Sequence, residues 1–286
     1  MSPQDRKTMD LGNIYFEKKA YFRALEYYDK IYPRNRNNAE LLLKRGRSYG
    51  KLGYDEKALK DLNLGLKLNP TYGEAYKWRG DILAVTGKFD LALKDYDYAE
   101  KHHGGNLWSI TYKRAKVYIL MGKPDKALFY LTKAIEIHRK TKKNSSGFVE
   151  DERLILTTRS GIYQNKGDYK NAIKDMTDAI SCGAFRDDVY LRRAELYTLT
   201  KQYPLAFKDY STILSKNPVD ETAWEKRAES ALAMGNLSRA LLDVNKAIEC
   251  YPGENLGRLY RLRARVYDKQ GKNDLANKDR VKASKF

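Results

Sequence analysis

Six arginines in the sequence are each followed by an aspartate sixteen residues later. The pairs are Arg45 and Asp61, Arg79 and Asp95, Arg159 and Asp175, Arg193 and Asp209, Arg227 and Asp243, and Arg263 and Asp279. A planar guanidinium can donate two parallel hydrogen bonds to one carboxylate, so each pair could form a bidentate ion pair. Arginines that lined a ligand groove would not need a matching aspartate. We therefore predict that these twelve residues form structural pairs.

Two further repeats have the same two positions, sixteen residues apart, but lack the aspartate. Leu11 and Tyr27 occupy them near the N-terminus, and Arg114 is followed by Tyr130. Because Arg114 has no aspartate in this register, we predict that its guanidinium is the one left free for another partner.

Residues suited to metal binding or catalysis are few. The chain has three histidines, His102, His103 and His138, and two cysteines, Cys182 and Cys250. No cysteine lies near the histidines to complete a zinc site, and the adjacent His102 and His103 predict a turn. The sequence also has no phosphate-binding glycine loop, nucleophile elbow or HExxH motif. We predict no catalytic residue, no metal, no cofactor and no small-molecule substrate, and hence no enzyme.

The two cysteines give information about the cellular compartment of the protein and do not indicate a functional site. Cys182 and Cys250 occupy corresponding positions two repeats apart, which is too far for a disulfide bond. Two cysteines also cannot provide a disulfide framework, so a reducing environment is expected. We predict a cytoplasmic protein, with the nucleus and the cytoskeleton left open, and no run of residues is apolar enough to predict a membrane span.

The paired arginines recur because the whole chain is repetitive. A small residue follows the arginine position in every repeat: Gly12, Gly46, Gly80, Ala115, Ser160, Ala194, Ala228 and Ala264. Twelve residues later an alanine is always present: Ala24, Ala58, Ala92, Ala127, Ala172, Ala206, Ala240 and Ala276. Seven residues after the small residue, six repeats have a glycine: Gly53, Gly87, Gly122, Gly167, Gly235 and Gly271. Apolar residues between these columns recur every three or four residues, as in amphipathic helices.

Each column has a structural reason. The glycine can adopt a positive φ and end a first helix, and the small residues let two antiparallel helices approach closely. One such hairpin cannot bury its own apolar faces, so it must stack on its neighbours. The predicted repeats span about 5–38, 39–72, 73–106, 108–141, 153–186, 187–220, 221–254 and 257–286, with a basic insert at about 139–152.

This pattern resembles the tetratricopeptide repeat family, and the likeness covers nearly all of the chain. It implies an all-α, right-handed superhelical solenoid of about eight helix-turn-helix repeats, forming a single domain over 1–286. It also implies protein binding through a concave groove lined by the first helices. Three positions depart from the family pattern: Thr8 and Thr111 replace bulky residues, and Ala231 replaces an aromatic residue.

One subset of this family binds the acidic C-terminal tails of chaperones with a Lys/Asn/Arg clamp. Of the clamp positions in this sequence, only Asn13 has the expected residue. Met9 replaces a lysine and Lys44 replaces an asparagine. Glu74 and Trp78 replace the lysine and arginine of the third repeat. We therefore expect that the chain does not carry this clamp.

The net charge of +18 is concentrated in two segments. Residues 107–143 hold 10 basic and 2 acidic side chains, and residues 257–286 hold 10 basic and 3 acidic ones. The insert is open to interpretation as a solvated loop or as a contact for an acidic partner. The C-terminal charges could form a polar cap on the last repeat, or they could contact an acidic partner surface. Basic surfaces of this kind attract acidic partners over a distance.

The favoured function is a non-catalytic scaffold that binds an acidic partner polypeptide through the groove and the basic surfaces. The predicted partner-binding residues are Arg47, Lys51, Tyr112, Lys116, Ile119, Leu120, Arg258, Arg261, Arg265 and Lys269. The alternative is an architectural component that docks on an acidic lattice or polymer such as a microtubule. RNA is less favoured, because the basic residues are not interleaved with aromatic side chains that could stack on bases.

Overall fold

The computed structural model describes residues 1–102, 107–141, 147–183, 185–250 and 256–286, with side chains from residue 150 onward in the third segment. These residues form sixteen α-helices and no β-strand, so the prediction of an all-α fold is confirmed. The chain divides into two compact units, residues 1–143 and residues 144–286. The boundary falls inside the predicted insert at 139–152. A single continuous solenoid over 1–286 stays a prediction.

The first unit contains four helix pairs. They are α1 (Pro3–Glu17) with α2 (Tyr21–Ile31), α3 (Ala39–Lys51) with α4 (Asp55–Leu68), α5 (Gly73–Val85) with α6 (Phe89–His102), and α7 (Leu107–Leu120) with α8 (Pro124–Lys140). A short 3₁₀ turn, Tyr32–Arg34, follows α2.

The second unit also contains four helix pairs. They are α9 (Gly147–Asn165) with α10 (Tyr169–Ser181), α11 (Asp187–Leu199) with α12 (Tyr203–Lys216), α13 (Glu221–Ala233) with α14 (Leu237–Cys250), and α15 (Leu256–Lys269) with α16 (Asn273–Ala283). His103 and residues 142–146 of the predicted insert lie outside the described residues.

Paired helices touch where the columns of small residues lie. The alanine of every pair is fully buried. At Gly80, an added methyl group would come within 2.8 Å of a ring carbon of Tyr96 on the partner helix. In α9 the Ser160 hydroxyl donates a hydrogen bond of 2.9 Å to the Ala172 carbonyl oxygen. The small side chains therefore set how closely the two helices of a pair can pack.

The turn inside each pair requires a residue with positive φ. The six glycines of the predicted column have φ between 67° and 81°. In the two remaining pairs the same place is taken by Lys19, with φ 60°, and Lys201, with φ 58°. An L-residue in this region is strained by about 1–2 kcal/mol, because its Cβ atom crowds the following carbonyl oxygen.

Replacing Lys201 with glycine should therefore stabilise the protein. We expect the free energy of unfolding to rise by about 1 kcal/mol, because relief of strain outweighs the extra freedom of glycine in the unfolded chain. Urea unfolding followed by circular dichroism measures this change. Gly235→Ala, at the same place in α13–α14 with φ 76°, should shift stability in the opposite direction. A Lys201→Gly variant no more stable than the parent would contradict the account.

The first helices of neighbouring pairs also contact one another. In the first unit α1 contacts α3, α3 contacts α5, and α5 contacts α7. In the second unit α13 contacts α15. Corresponding side chains of α1, α3, α5 and α7 therefore share one surface, here called the first-helix face of the first unit.

Candidate functional site

All six Arg–Asp pairs lie within hydrogen-bonding distance. In each pair the arginine Nε and Nη2 atoms donate to the two carboxylate oxygens of the aspartate, at 2.6–2.9 Å. The arginine belongs to the first helix and the aspartate to the second helix of the same pair. This bidentate geometry occupies both carboxylate oxygens, and it joins the two helices of the pair.

The third guanidinium nitrogen reaches back to the preceding helix pair. Arg79 Nη1 donates to Asn63 Oδ1 at 3.0 Å, and Arg227 Nη1 donates to the Ser211 hydroxyl at 3.1 Å. Sequence reasoning missed these partners, although a polar residue recurs two positions after the aspartate column. The partners contacted in this way, by Nη1 of Arg45, Arg79, Arg193, Arg227 and Arg263 respectively, are Asp29, Asn63, Thr177, Ser211 and Asn245. These five arginines therefore each join two neighbouring pairs as well as two helices.

The prediction that Arg114 is free is wrong. Its Nη1 atom lies 2.6 Å from Glu100 Oε2, and its Nη2 atom lies 2.6 Å from Asp97 Oδ1. Nη2 also donates to the Tyr130 hydroxyl at 2.8 Å. Two carboxylates of the preceding helix pair thus replace the missing aspartate, so this guanidinium is neutralised within the fold.

A different set of cations surrounds one carboxylate on the first-helix face of the first unit. Asp81 on α5 lies 2.8 Å from Lys113 Nζ and 3.4 Å from Arg47 Nη1. Asp81 also accepts a hydrogen bond of 2.9 Å from the Tyr96 hydroxyl. Lys51 lies near enough to Arg47, Asp81 and Lys113 to feel the charge of each. One carboxylate therefore faces several cations contributed by α3 and α7.

The electrostatics of Lys51 indicate an excess of positive charge. The nearby Arg47 cation is the main reason that the pKa of Lys51 is lowered, and partial burial adds to the effect. Lys116, which borders the same region on α7, makes no ion pair with the residues that the structure describes. A carboxylate brought to this region would relieve the repulsion between these cations.

A small apolar cleft opens beside the cations. Its volume is about 230 Å³, and Asp81, Lys113 and Lys116 form part of its wall. The apolar wall consists of Ala84, Val85, Val117 and Leu120. Of these, Val85 is 79 % exposed and Leu120 is 60 % exposed. The cleft can accept an aliphatic side chain next to a site for an acidic group.

The predicted partner-binding residues fall into two groups. Lys116 and Leu120 line the cleft, Arg47 and Lys51 border its cations, Ile119 is exposed on α7, and Tyr112 is half-buried on the same helix. Asp81 and Lys113 were not among the predicted residues. A signal was present for Asp81, because it lies one repeat of 34 residues after Arg47. The 34-residue repeat predicts that Arg47 and Asp81 lie on the same face of the solenoid. It does not predict that the cation of one repeat is replaced by an anion in the next, which is known only from the residue type at that position.

The second group lies on α15 in the second unit. Arg258, Arg261, Arg265 and Lys269 are all exposed. Arg258 is nevertheless engaged, since its Nη2 atom lies 2.6 Å from Oε2 of the buried Glu225 on α13. The other three cations form no ion pair with the part of the chain that the structure describes.

The described residues lack two further kinds of feature. None of their helices is both long and apolar enough to cross a membrane. Within the same residues, no group of three or more His, Cys, Asp or Glu side chains is arranged to hold a metal ion. Neither Cys182 nor Cys250 forms a disulfide bond with another described residue.

Comparisons with known proteins agree with the repeat architecture. One tetratricopeptide repeat profile matches residues 39–72, 110–141 and 155–181, and a second matches residues 202–255. Hsp70-Hsp90 organizing protein 3 of Arabidopsis thaliana is 30% identical over 95 residues, which cover 33% of this chain and 17% of the relative. Tetratricopeptide repeat protein 6 of Homo sapiens is 29% identical over 188 residues, which cover 64% and 34% respectively.

The chain spans about a third or less of the length of these curated relatives. Among solved structures, the MamA protein superposes with a TM-score of 0.52 and 26% identity, covering 64% of this chain and 93% of MamA. The eight-fold register of small residues, the sixteen paired helices and the profile matches agree with one another. The chain belongs to the tetratricopeptide repeat family.

Proposed function

We propose that the chain is a non-catalytic scaffold that binds a partner polypeptide through the first-helix face of its first unit. The observation that carries this proposal is the group of cations around Asp81, next to the exposed cleft at Val85 and Leu120. Protein binding is the general activity of the family, and a mixed basic and aliphatic surface defines the chemistry of the partner.

The two halves of the site make different contributions. Burying one aliphatic side chain in the cleft contributes about 1.5–3 kcal/mol. Lys51 and Lys116 supply charge-assisted contacts, which select an acidic group and accelerate its approach. A matching segment therefore has an aspartate or glutamate within one or two residues of a leucine, isoleucine or valine.

This chemistry differs from that of the chaperone-tail clamp. Met9 and Trp78, at two clamp positions, are buried in the core. At a third position, Asn13 Oδ1 accepts a hydrogen bond of 2.9 Å from the Tyr28 hydroxyl. These contacts support a partner other than a chaperone tail held in that manner. The cytoplasm, where the thiols of Cys182 and Cys250 stay reduced, remains the expected location.

The second candidate is an architectural role on an acidic lattice such as a microtubule. It is favoured by the positive charge concentrated in residues 107–143 and 257–286. Lattice or RNA binding relies mainly on charge, so it weakens steeply as salt rises, whereas binding in an apolar cleft weakens less. An affinity that falls by orders of magnitude between 50 mM and 200 mM salt would favour the lattice over the cleft.

The cleft is tested by selecting peptides from a random display library on the whole chain. We expect the selected peptides to combine acidic and aliphatic residues. Lys51→Glu with Lys116→Glu should then weaken a selected peptide at least tenfold, a loss of about 1.4 kcal/mol or more, because the repelled carboxylate loses both cations.

The matched control carries the same charge change on the second helices of the first unit. Lys67→Glu with Lys94→Glu alters two exposed lysines of α4 and α6, and it should leave peptide affinity within twofold of the parent. Equal losses in both double variants would mean that only net charge matters, and the cleft would not be the binding site.

A further inference from the structure

Three cations of α15 form a row along one side of the helix, on the surface of the second unit. Arg261, Arg265 and Lys269 are spaced four residues apart, so they lie on one face of the helix, and each is about 6 Å along the helix axis from the next. All three are exposed, and none is paired with a carboxylate among the described residues. Like charges at this spacing repel each other, and an acidic ligand would remove that repulsion.

A fourth cation at the start of this row is held by a buried carboxylate. The Glu225 side chain is 1% exposed, whereas the Arg258 side chain next to it is 55% exposed. Burial raises the pKa of Glu225, and Arg258 is the strongest of the neighbouring charges that oppose this rise. Neither oxygen of Glu225 accepts a well-aligned hydrogen bond from the described residues, so the contact with Arg258 is chiefly ionic.

This arrangement restricts what Arg258 can do. If Arg258 turned toward an external anion, the Glu225 carboxylate would be left buried without its closest cation, which is strongly unfavourable. Arg258 precedes Arg261 by three residues, so without Glu225 it could extend the row by one charge. Glu225 is thus placed to keep the row at three available cations.

We propose that α15 binds an extended acidic polypeptide segment through Arg261, Arg265 and Lys269, and that Glu225 limits its affinity by holding Arg258. In an extended chain every second side chain points the same way, at about 6.6 Å intervals, which is close to the spacing of the row. Such a ligand needs no apolar contact, unlike the segment proposed for the cleft around Asp81.

A polypeptide fits this surface better than a nucleic acid. The aromatic ring closest to the row in sequence, Tyr260, is stacked on Phe286 with ring centroids 6.3 Å apart. Tyr267 is half-buried. Single-stranded nucleic acids gain much of their affinity from stacking on free aromatic rings, and these two rings are partly covered.

The test uses a fluorescein-labelled peptide of ten glutamates and the whole chain, with binding followed by fluorescence anisotropy at low salt. All variants also carry Lys51→Ala and Lys116→Ala, which reduce binding of the peptide to the first unit. A negative result for α15 therefore does not contradict the proposal for the cleft around Asp81. In that background Arg261→Ala with Arg265→Ala should weaken binding at least tenfold. Glu225→Gln should strengthen it about three- to fivefold, because Arg258 becomes available.

The control for Glu225 is Glu229→Gln, which removes the same charge from the same helix. Glu229 is half-buried and its Oε2 atom lies 2.8 Å from Lys226 Nζ, so its neutralisation frees no residue of the row. Its effect should stay within twofold. Thermal unfolding checks that each variant is folded, and Arg265→Ala with Lys269→Ala replaces any arginine variant that is not.

Three results would overturn the proposal. Unchanged affinity in both cation variants would show that the row is not the site. Equal strengthening by Glu225→Gln and Glu229→Gln would show that Glu225 acts only through net charge. Tighter binding of a ten-nucleotide oligothymidylate than of the glutamate peptide, through the same arginines, would assign the row to nucleic acid.

Discussion

Replacing Asp243 with alanine should lower the free energy of unfolding by about 3–5 kcal/mol. The Asp243 side chain is fully buried, and its two oxygens accept hydrogen bonds of 2.8 and 2.9 Å from Arg227, which is itself buried. The substitution would leave this guanidinium in the interior without its counter-charge. Arg239 Nε, 3.1 Å from the same carboxylate, would lose a partner as well.

A double-mutant cycle isolates the interaction energy between Arg227 and Asp243 from the effects of each substitution on its surroundings. Urea unfolding of Asp243→Ala, Arg227→Ala and the double variant should give a coupling energy of about 1–3 kcal/mol, because the double variant strands neither charge. The exposed pair Lys246–Glu249 provides the comparison, and its coupling should stay below about 1 kcal/mol. Additive losses at Asp243 and Arg227 would show that the geometry of the pair does not contribute to stability.

Enlarging Ala172 to leucine should lower the free energy of unfolding by about 1–3 kcal/mol. Ala172 is fully buried where α9 and α10 cross, and its carbonyl oxygen accepts the hydrogen bond from Ser160. Three additional carbon atoms would push the two helices apart and lengthen that hydrogen bond.

Thermal and urea unfolding measure this loss. Ala233→Leu makes the same change at an exposed position near the end of α13, so its effect should stay within about 0.5 kcal/mol. If Ala172→Leu melts like the parent protein, the helices of that pair do not pack closely at this point.

The fold was predictable because its determinants are periodic. The buried alanine column and the glycine turn identify where each helix begins, ends and crosses its partner, and they require only sequence spacing. The two turns at Lys19 and Lys201 were harder to assign, because a lysine carries no signal for positive φ. Their place could be inferred only from the register of the other repeats.

The candidate sites were only partly predictable, for a physical reason. A repeat period shows which positions share a face, and it identified Arg47, Lys116 and Leu120. It does not show which charges on that face neutralise one another. Contacts between different helix pairs, such as Arg258 with Glu225, depend on side-chain length and rotamer in addition to register.

The arginine contacts also explain where this chain can change its length. The separation between the small residue and the alanine is twelve residues in all eight repeats, whereas the step from one repeat to the next varies from 34 to 45. Arg79 reaches sixteen residues forward to Asp95 and sixteen back to Asn63, but Arg263 reaches back eighteen to Asn245. Insertions between helix pairs are thus absorbed, while insertions inside a hairpin would displace the forward partner. An epitope or fluorescent label is therefore best introduced between α14 and α15, where the backward contact already spans two more residues than in the other pairs.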